Sequence, residues 1–320
     1  MRGDVAVTEL GFTLMHEHLV MIHPEIEGNI PDIWDEDREV DRARAALAGL
    51  AGLGVRTLVD LTVYGLGRNI PRIQRIAAAG DVHVIVATGA YTMDELPRYF
   101  ARRGPGTQNG GPDVLEETFV REITEGIAGT GVRAGILKCA SDVRGLTPDV
   151  ERALRATARA HRRTGVPIST HTSALDFGGL DQQRIFAAEG VDLSRVIIGH
   201  SGDSTDIGYL TSLMDAGSYI GLDRFGMDSR LPTAERCAVV AELVRRGYAP
   251  RITLSHDASC FADSWDAEAK RRTLPDWHFG FIPGTVIPRL AELGVSEAEV
   301  RQMMVTNPAE IFSAQARYRP

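Results

Sequence analysis

The chain has 320 residues, 43% of them hydrophobic, a net charge of −8 and three cysteines. That composition supports a large core, and the acidic balance argues against nucleic acid or an anionic membrane surface as partner. Cys139, Cys237 and Cys260 are an odd set at unrelated spacings, which fits a reducing compartment better than a disulfide framework.

No apolar run is long enough to span a bilayer. Met1-Arg2-Gly3-Asp4 lacks the apolar stretch of a signal peptide, so a cytoplasmic protein is expected. The length would allow about two domains, but single α/β barrels also reach this size.

Short apolar runs alternate with amphipathic stretches from end to end. The strands expected in chain order are Gly11–Met15, Val55–Asp60, Val82–Thr88, Ala134–Lys138, Pro167–His171, Val196–His200, Tyr219–Asp223 and Arg251–His256. Several are nearly continuous in Val, Ile and Leu, as parallel strands buried on both faces require. Thr147-Pro148 reads as an N-cap followed by proline, opening a helix over Val150–Arg163, and Asn307-Pro308 repeats that signal for a last short helix. Gly54, Gly80, Gly131, Gly165, Gly190 and Gly247 fall where helical patterns stop.

Eight strand–helix units without a linker predict an α/β fold of the (β/α)8 TIM-barrel type, in one domain over 1–320. A doubly wound sheet is the alternative, and no Gly-x-Gly-x-x-Gly follows the first strand to favour it. Residues 1–10 are expected to precede the barrel as a flap. Two stretches are long for loops, Tyr91 to Pro112 and 258–283, and long loops in compact domains are usually functional or mobile.

His16-Glu17-His18 closes the first strand pattern, and side chains two apart on a strand share a face. Two imidazoles there can grip one metal ion, with Glu17 turned away. His171, His200 and Asp257 end the fifth, sixth and eighth strand patterns, and Lys138 ends the fourth. Active sites of barrels lie at the C-terminal strand ends, where all these residues recur. An ammonium group has no lone pair for a metal. Lys138 must therefore lose its proton, form a carbamate with CO2, or serve in a plain ion pair. His23, His83, His161, His256 and His278 take ordinary structural readings, and Gly178-Gly179 reads as a turn.

The segments Gly11-Phe12-Thr13-Leu14-Met15-His16-Glu17-His18, Thr170-His171-Thr172, Ile198-Gly199-His200-Ser201-Gly202-Asp203-Ser204 and Leu254-Ser255-His256-Asp257 resemble the phosphotriesterase family of the amidohydrolase superfamily. Within it the chain is most similar to the phosphotriesterase-like lactonases, over nearly its whole length. The resemblance implies a binuclear centre with a barrel fold around it. His16, His18 and Asp257 would hold the more buried metal, and His171 and His200 the more exposed one. A hydroxide and N6-carboxylated Lys138 would bridge the two divalent ions, which are Zn, Co, Fe or Mn. Asp257 would accept or relay the proton. Tyr91 matches a family tyrosine beside the hydroxide, and Arg224 an arginine that shapes the neighbouring loop.

The chain passes quickly from Arg224 to a helix near Thr233, whereas the loop after Asp257 is long and carries Phe261, Trp265, Trp277, Phe279 and Phe281. Those aromatics could line a groove for an acyl chain or cover the barrel end. The expected activity is opening of N-acyl homoserine lactones, which is quorum quenching, with side activity on phosphotriesters. A γ- or δ-lactonase, a phosphotriesterase proper, and a non-enzymatic metal-dependent binding protein are the alternatives. The expected partner is a small-molecule lactone, and the expected assembly a homodimer.

Overall fold

A computed structural model describes residues 3–78 and 80–313. Among these residues nine strands form one parallel sheet: β1 Phe12–Met21, β2 Val55–Asp60, β3 His83–Gly89, β4 Ile136–Ala140, β5 Ile168–His171, β6 Val196–Ile198, β7 Tyr219–Leu222, β8 Ile252–Leu254 and β9 Ser259–Ala262. Their order is β8-β7-β6-β5-β4-β3-β2-β1-β9, so each of the first eight lies beside its sequence neighbour. That is the order a repeated strand–helix–strand unit produces when every crossover has the same hand.

The sheet curls until its first and eighth strands meet. The Asp257 N–H donates to His16 O at 3.1 Å, the His18 N–H donates to Ala258 O at 2.9 Å, and the His16 N–H donates to Ser255 Oγ at 2.9 Å. Strand pleating divides the apolar residues into two clusters. Met15, Val59, Ala87, Ile136, Ile197 and Tyr219 pack together on one face. Leu14, Leu58, Val86, Leu137, Ile198 and Ile220 pack on the other, against Leu47, Leu154 and Phe186 of the flanking helices. The fold is TIM-barrel-like, and no helix among the described residues is long and apolar enough to cross a membrane.

Most expected strands fall where the pattern puts them, and the differences have local causes. β1 runs on through His16 and His18 to Met21, because its second half pairs with β9, a strand inside the stretch read as a loop. β4 is shifted two residues onward, so Lys138 lies mid-strand. β6 and β8 stop early, since His200 and Asp257 adopt left-handed backbone with φ of 58° and 55°. The helix Pro148–Thr164 opens on the Thr147 cap and closes on Gly165 at φ 78°. Asn307 is not a cap. The chain stays helical from Glu297 through a π turn at Gln302–Thr306 into Asn307–Ser313. The Asn307 amide instead donates to Ala249 O and Ile252 O at 2.8 and 2.7 Å. The first residues described, Gly3 to Leu10, lie against His83–Val86, where β3 begins, away from the strand ends that carry His171 and His200.

Gly89 shows how tightly the sheet closes around Lys138. It pairs with Lys138 in register, its φ is 145°, and an added Cβ would stand 1.7 Å from Lys138 O. Gly89→Ala should therefore lower stability by about 2 kcal/mol or more, from strained backbone and a clash that moves β4. Urea unfolding checks this; a loss below about 0.5 kcal/mol, typical of a neutral site, would mean that β3 and β4 can separate freely.

Candidate functional site

A β-bulge aims the first histidine. Leu14 pairs with Leu58 and Glu17 with Asp60, so Met15 and His16 together face Val59 alone. The extra residue re-aims the side chains. Met15 joins the inner cluster and His16 turns toward the same interior. His18 follows two residues on, and Glu17 points the other way to His256, 2.6 Å from its Nδ1.

The six residues expected to hold metal converge. His16, His18, Lys138, His171 and His200 are all 5% exposed or less. Asp257 Oδ1 lies 3.3 Å from His16 Nε2 and 3.2 Å from His18 Nε2. His200 Nε2 is 3.8 Å from Asp257 Oδ2 and 2.9 Å from His171 Nδ1. Lys138 Nζ is 3.1 Å from His16 Nε2 and donates to Thr170 O at 2.9 Å. His16, His200 and Asp257 alone offer three ligand atoms within 4.8 Å of one another.

The backing groups decide which atoms face inward. Asp223, 2% exposed, places one oxygen 2.7 Å from His16 Nδ1 and the other 2.8 Å from His200 Nδ1. Burial works against its charge, but His16 beside it holds the carboxyl below its usual range. Asp142 Oδ2 lies 3.0 Å from His171 Nε2. Burial keeps the rings uncharged: His16 is lowered to about 4, with Lys138 adding to the effect. His200 and His171 are lowered by the same desolvation. A carboxylate only accepts, so each neutral ring carries its proton on the nitrogen facing Asp223 or Asp142.

The inward nitrogens are therefore bare. His200 Nε2 and His171 Nδ1 set lone pair against lone pair, and His16 Nε2 faces a carboxylate. Imidazole nitrogens anchored from behind by carboxylates are the usual metal-ligand arrangement, and this set of N and O donors fits divalent cations of the Zn, Co, Fe or Mn type.

Tyr91 stands at the edge of this cluster, its hydroxyl 3.4 Å from His171 Nδ1. Burial and the Asp257 charge push its pKa up, so it stays protonated. Arg224 is buried rather than a surface ion-pairing residue. Its Nε donates to Asp257 Oδ2 at 3.1 Å and its Nη1 to Asp203 Oδ2 at 2.6 Å. Asp257 is held well below its usual range: burial opposes its charge, and His200, His16, His18 and Arg224 outweigh burial.

Sequence reasoning missed the anchors Asp223, Asp142 and Thr62, whose hydroxyl is 2.9 Å from His18 Nδ1. Asp223 carried a readable signal, since it ends a strand pattern like the other site residues. The histidines read as structural are so where their contacts are seen. His256 is wedged between Glu17 and the Ile282 N–H, and His161 bonds Val166 O. Three of the five loop aromatics that could have lined a groove are packed away instead. Trp277, Phe279 and Phe281 are buried, and Trp277 Nε1 donates to His256 O. Phe261 packs on Trp34, while Trp265 stays 41% exposed.

A model of the phosphotriesterase family matches residues 1–312. The chain is 53% identical over 319 residues to the phosphotriesterase homology protein of Mycobacterium tuberculosis, covering 99% of this chain and 98% of that one. It is 38% identical over 314 residues to an aryldialkylphosphatase of Saccharolobus solfataricus, covering 98% of each. It superposes on the solved structure of the phosphotriesterase from Mycobacterium tuberculosis with a TM-score of 0.98, at 53% identity, covering 99% and 98% of the two chains.

Asp223 anchors two rings at once, so Asp223→Asn should cost more than a single contact. The amide turns an NH2 donor toward one ring Nδ1–H. We expect metal affinity to fall by about 10–100-fold, as loss of such anchors does elsewhere. Competition against a chelator measures it; unchanged affinity would show that the rings hold their tautomers without Asp223.

Proposed function

The chain belongs to the phosphotriesterase family, and from that premise we propose that it is a two-metal hydrolase of a closed (β/α)8 barrel that opens lactone rings. One observation carries the metal part: bare imidazole nitrogens and a carboxylate crowd one interior at 2.9–3.3 Å. Divalent cations would relieve the facing lone pairs of such a cluster. In this reading His16, His18 and Asp257 would hold one ion and His171 and His200 the other, with Lys138, once carboxylated, contributing a further ligand.

Lys138 fits the bridging role once modified. Burial lowers its ammonium to about 8, so a fraction of the amine is neutral near physiological pH. A neutral amine can add CO2: the N–C bond forms as one C=O π bond opens, one proton leaves to solvent, and the uncharged amine becomes an anionic carbamate. Bound divalent ions would supply Lewis acidity and make hydroxide available near neutral pH.

The chain's own residues do the rest. Tyr91, kept protonated, donates a hydrogen bond to an oxygen of the lactone. Asp257 takes the proton from the attacking water and passes it to the departing alkoxide. Arg224 holds Asp257 Oδ2, which leaves Oδ1 turned to His16 and His18.

Substrate choice is read from the loops. The connection from Arg224 to the helix at Thr233 is short. Within 258–283, read as the substrate-facing segment, Trp265 and Phe261 offer apolar surface to an acyl chain. N-acyl homoserine lactones suit this combination of a polar ring and an apolar tail. A phosphotriesterase is the second reading, favoured by the similarity to an aryldialkylphosphatase. The tetrahedral phosphorus of a phosphotriester resembles the tetrahedral intermediate of lactone opening, so weak activity on the second follows from the first.

Long-chain acyl homoserine lactones should give a higher kcat/KM than paraoxon, by about tenfold or more, since each buried methylene adds roughly 0.8 kcal/mol. Asp257→Asn should lower kcat on the lactone by about 10²–10⁴-fold while retaining much of the metal. Steady-state kinetics on both substrates decides; equal or faster paraoxon hydrolysis would make the chain a phosphotriesterase proper.

A further inference from the structure

Tyr91 stands two residues past the end of β3, so the strand alone does not fix where its ring points. A second segment meets it there. Tyr64, four residues past the end of β2, accepts the Tyr91 N–H on its carbonyl at 2.8 Å and donates its own N–H to Gly89 O at 3.3 Å. Ala90 lies between these two bonds, and its N–H donates to Lys138 O at 3.1 Å. The two segments approach closely. At Gly65, with φ 91°, an added Cβ would stand 2.3 Å from Tyr91 O.

Behind this pairing lies a buried carboxylate. Glu122, on the helix Val114–Thr124, is 4% exposed. Each of its oxygens accepts two bonds. Oε1 takes the Tyr64 phenol and Arg68 Nη2, both at 2.7 Å. Oε2 takes Arg68 Nη1 at 2.9 Å and the Thr88 hydroxyl. Thr88 belongs to β3, three residues before Tyr91, whereas Tyr64 and Arg68 belong to the loop after β2. One carboxylate therefore spans the two segments that meet at Tyr91. Arg68 joins them a second time, through Nη1 to Ala87 O at 3.0 Å. Burial and Glu122 beside it push the Tyr64 phenol up to about 12, so it stays protonated and donates. A buried polar network with every member satisfied holds one geometry rigidly.

We infer that Glu122 is a positioning residue for Tyr91. It locks the loop after β2 onto the end of β3, and so sets where the Tyr91 hydroxyl stands, 3.4 Å from His171 Nδ1. Glu122 acts through Tyr64, Arg68 and Thr88 rather than on a substrate. The consequence for turnover rests on the reading of Tyr91 as the hydrogen-bond donor to the lactone; the clamp on its backbone does not.

The test separates the two. Glu122→Gln keeps the size of the side chain but turns an NH2 toward groups that donate, so the four bonds cannot all be kept. Amide hydrogen exchange on the full chain reads the Tyr91 N–H directly. It should exchange at least about tenfold faster in E122Q than in wild type, while the Ile220 N–H in β7 keeps its rate. E122Q and Tyr91→Phe should each lower kcat on an acyl homoserine lactone by about 10–100-fold, as a misplaced group does, with KM and metal content nearly unchanged. The double variant should be no slower than the slower single one, because both changes remove the same interaction. Should E122Q fail to fold, Tyr64→Phe removes one donor and keeps the ion pair, and the same comparisons apply. An unchanged Tyr91 exchange rate, or losses that multiply in the double variant, would overturn the positioning role. Full activity in Y91F, or no lactone turnover in wild type, would overturn the reading of Tyr91 as the donor, and the exchange rates would then judge the clamp alone.

Discussion

Lone pairs pointing at one another are the constraint on which this structure turns. Asp223 and Asp142 take the outward protons of three rings, and that choice forces the inward nitrogens to be bare. His200 and His171 then meet at 2.9 Å with no proton between them. A protein interior tolerates such crowding of acceptors only if a cation relieves it. Lys138 and Arg224 supply some positive charge from the edges, but each also donates elsewhere, to Thr170 O and to Asp203.

The fold spends conformational strain to build that crowding. A bulge at Met15 and His16 brings the first ring inward. His200 and Asp257 leave their strands through left-handed backbone, a conformation that costs non-glycine residues of order 1–3 kcal/mol each. Gly199, just before His200, has no room for a Cβ, which would stand 2.0 Å from Thr170 O. Such local cost concentrates where a precise arrangement matters more than stability. Away from the site the same sheet follows ordinary rules, with continuous apolar strands between helices and one face of the longer helices buried.

What could be read from the sequence follows from the kind of signal each residue carries. Parallel strands buried on both faces write themselves as runs of Val, Ile and Leu, so β2 and β5 fall where the pattern put them, within one residue. His171 and His200 could be found because they sit at or just past strand ends, where the fold places function, and His16 and His18 because residues two apart on a strand share a face. Their precise aim could not be found, because a bulge and two positive φ values leave no periodic trace. Asp223, Asp142 and Thr62 back the clustered histidine rings from outside the cluster, and their partners lie up to 207 residues away in sequence. Trp277, Phe279 and Phe281 mislead for the opposite reason: an apolar loop that packs on the sheet has the same composition as one that lines a groove.

Everything in the site turns on whether the interior of the sheet holds cations. Elemental analysis of the purified, active chain, alongside lactone turnover before and after chelation, tests this most directly. The account predicts about two divalent ions per chain, the complement of a paired site, with turnover lost on their removal and regained when they are returned. Undiminished turnover in protein stripped of metal would contradict it.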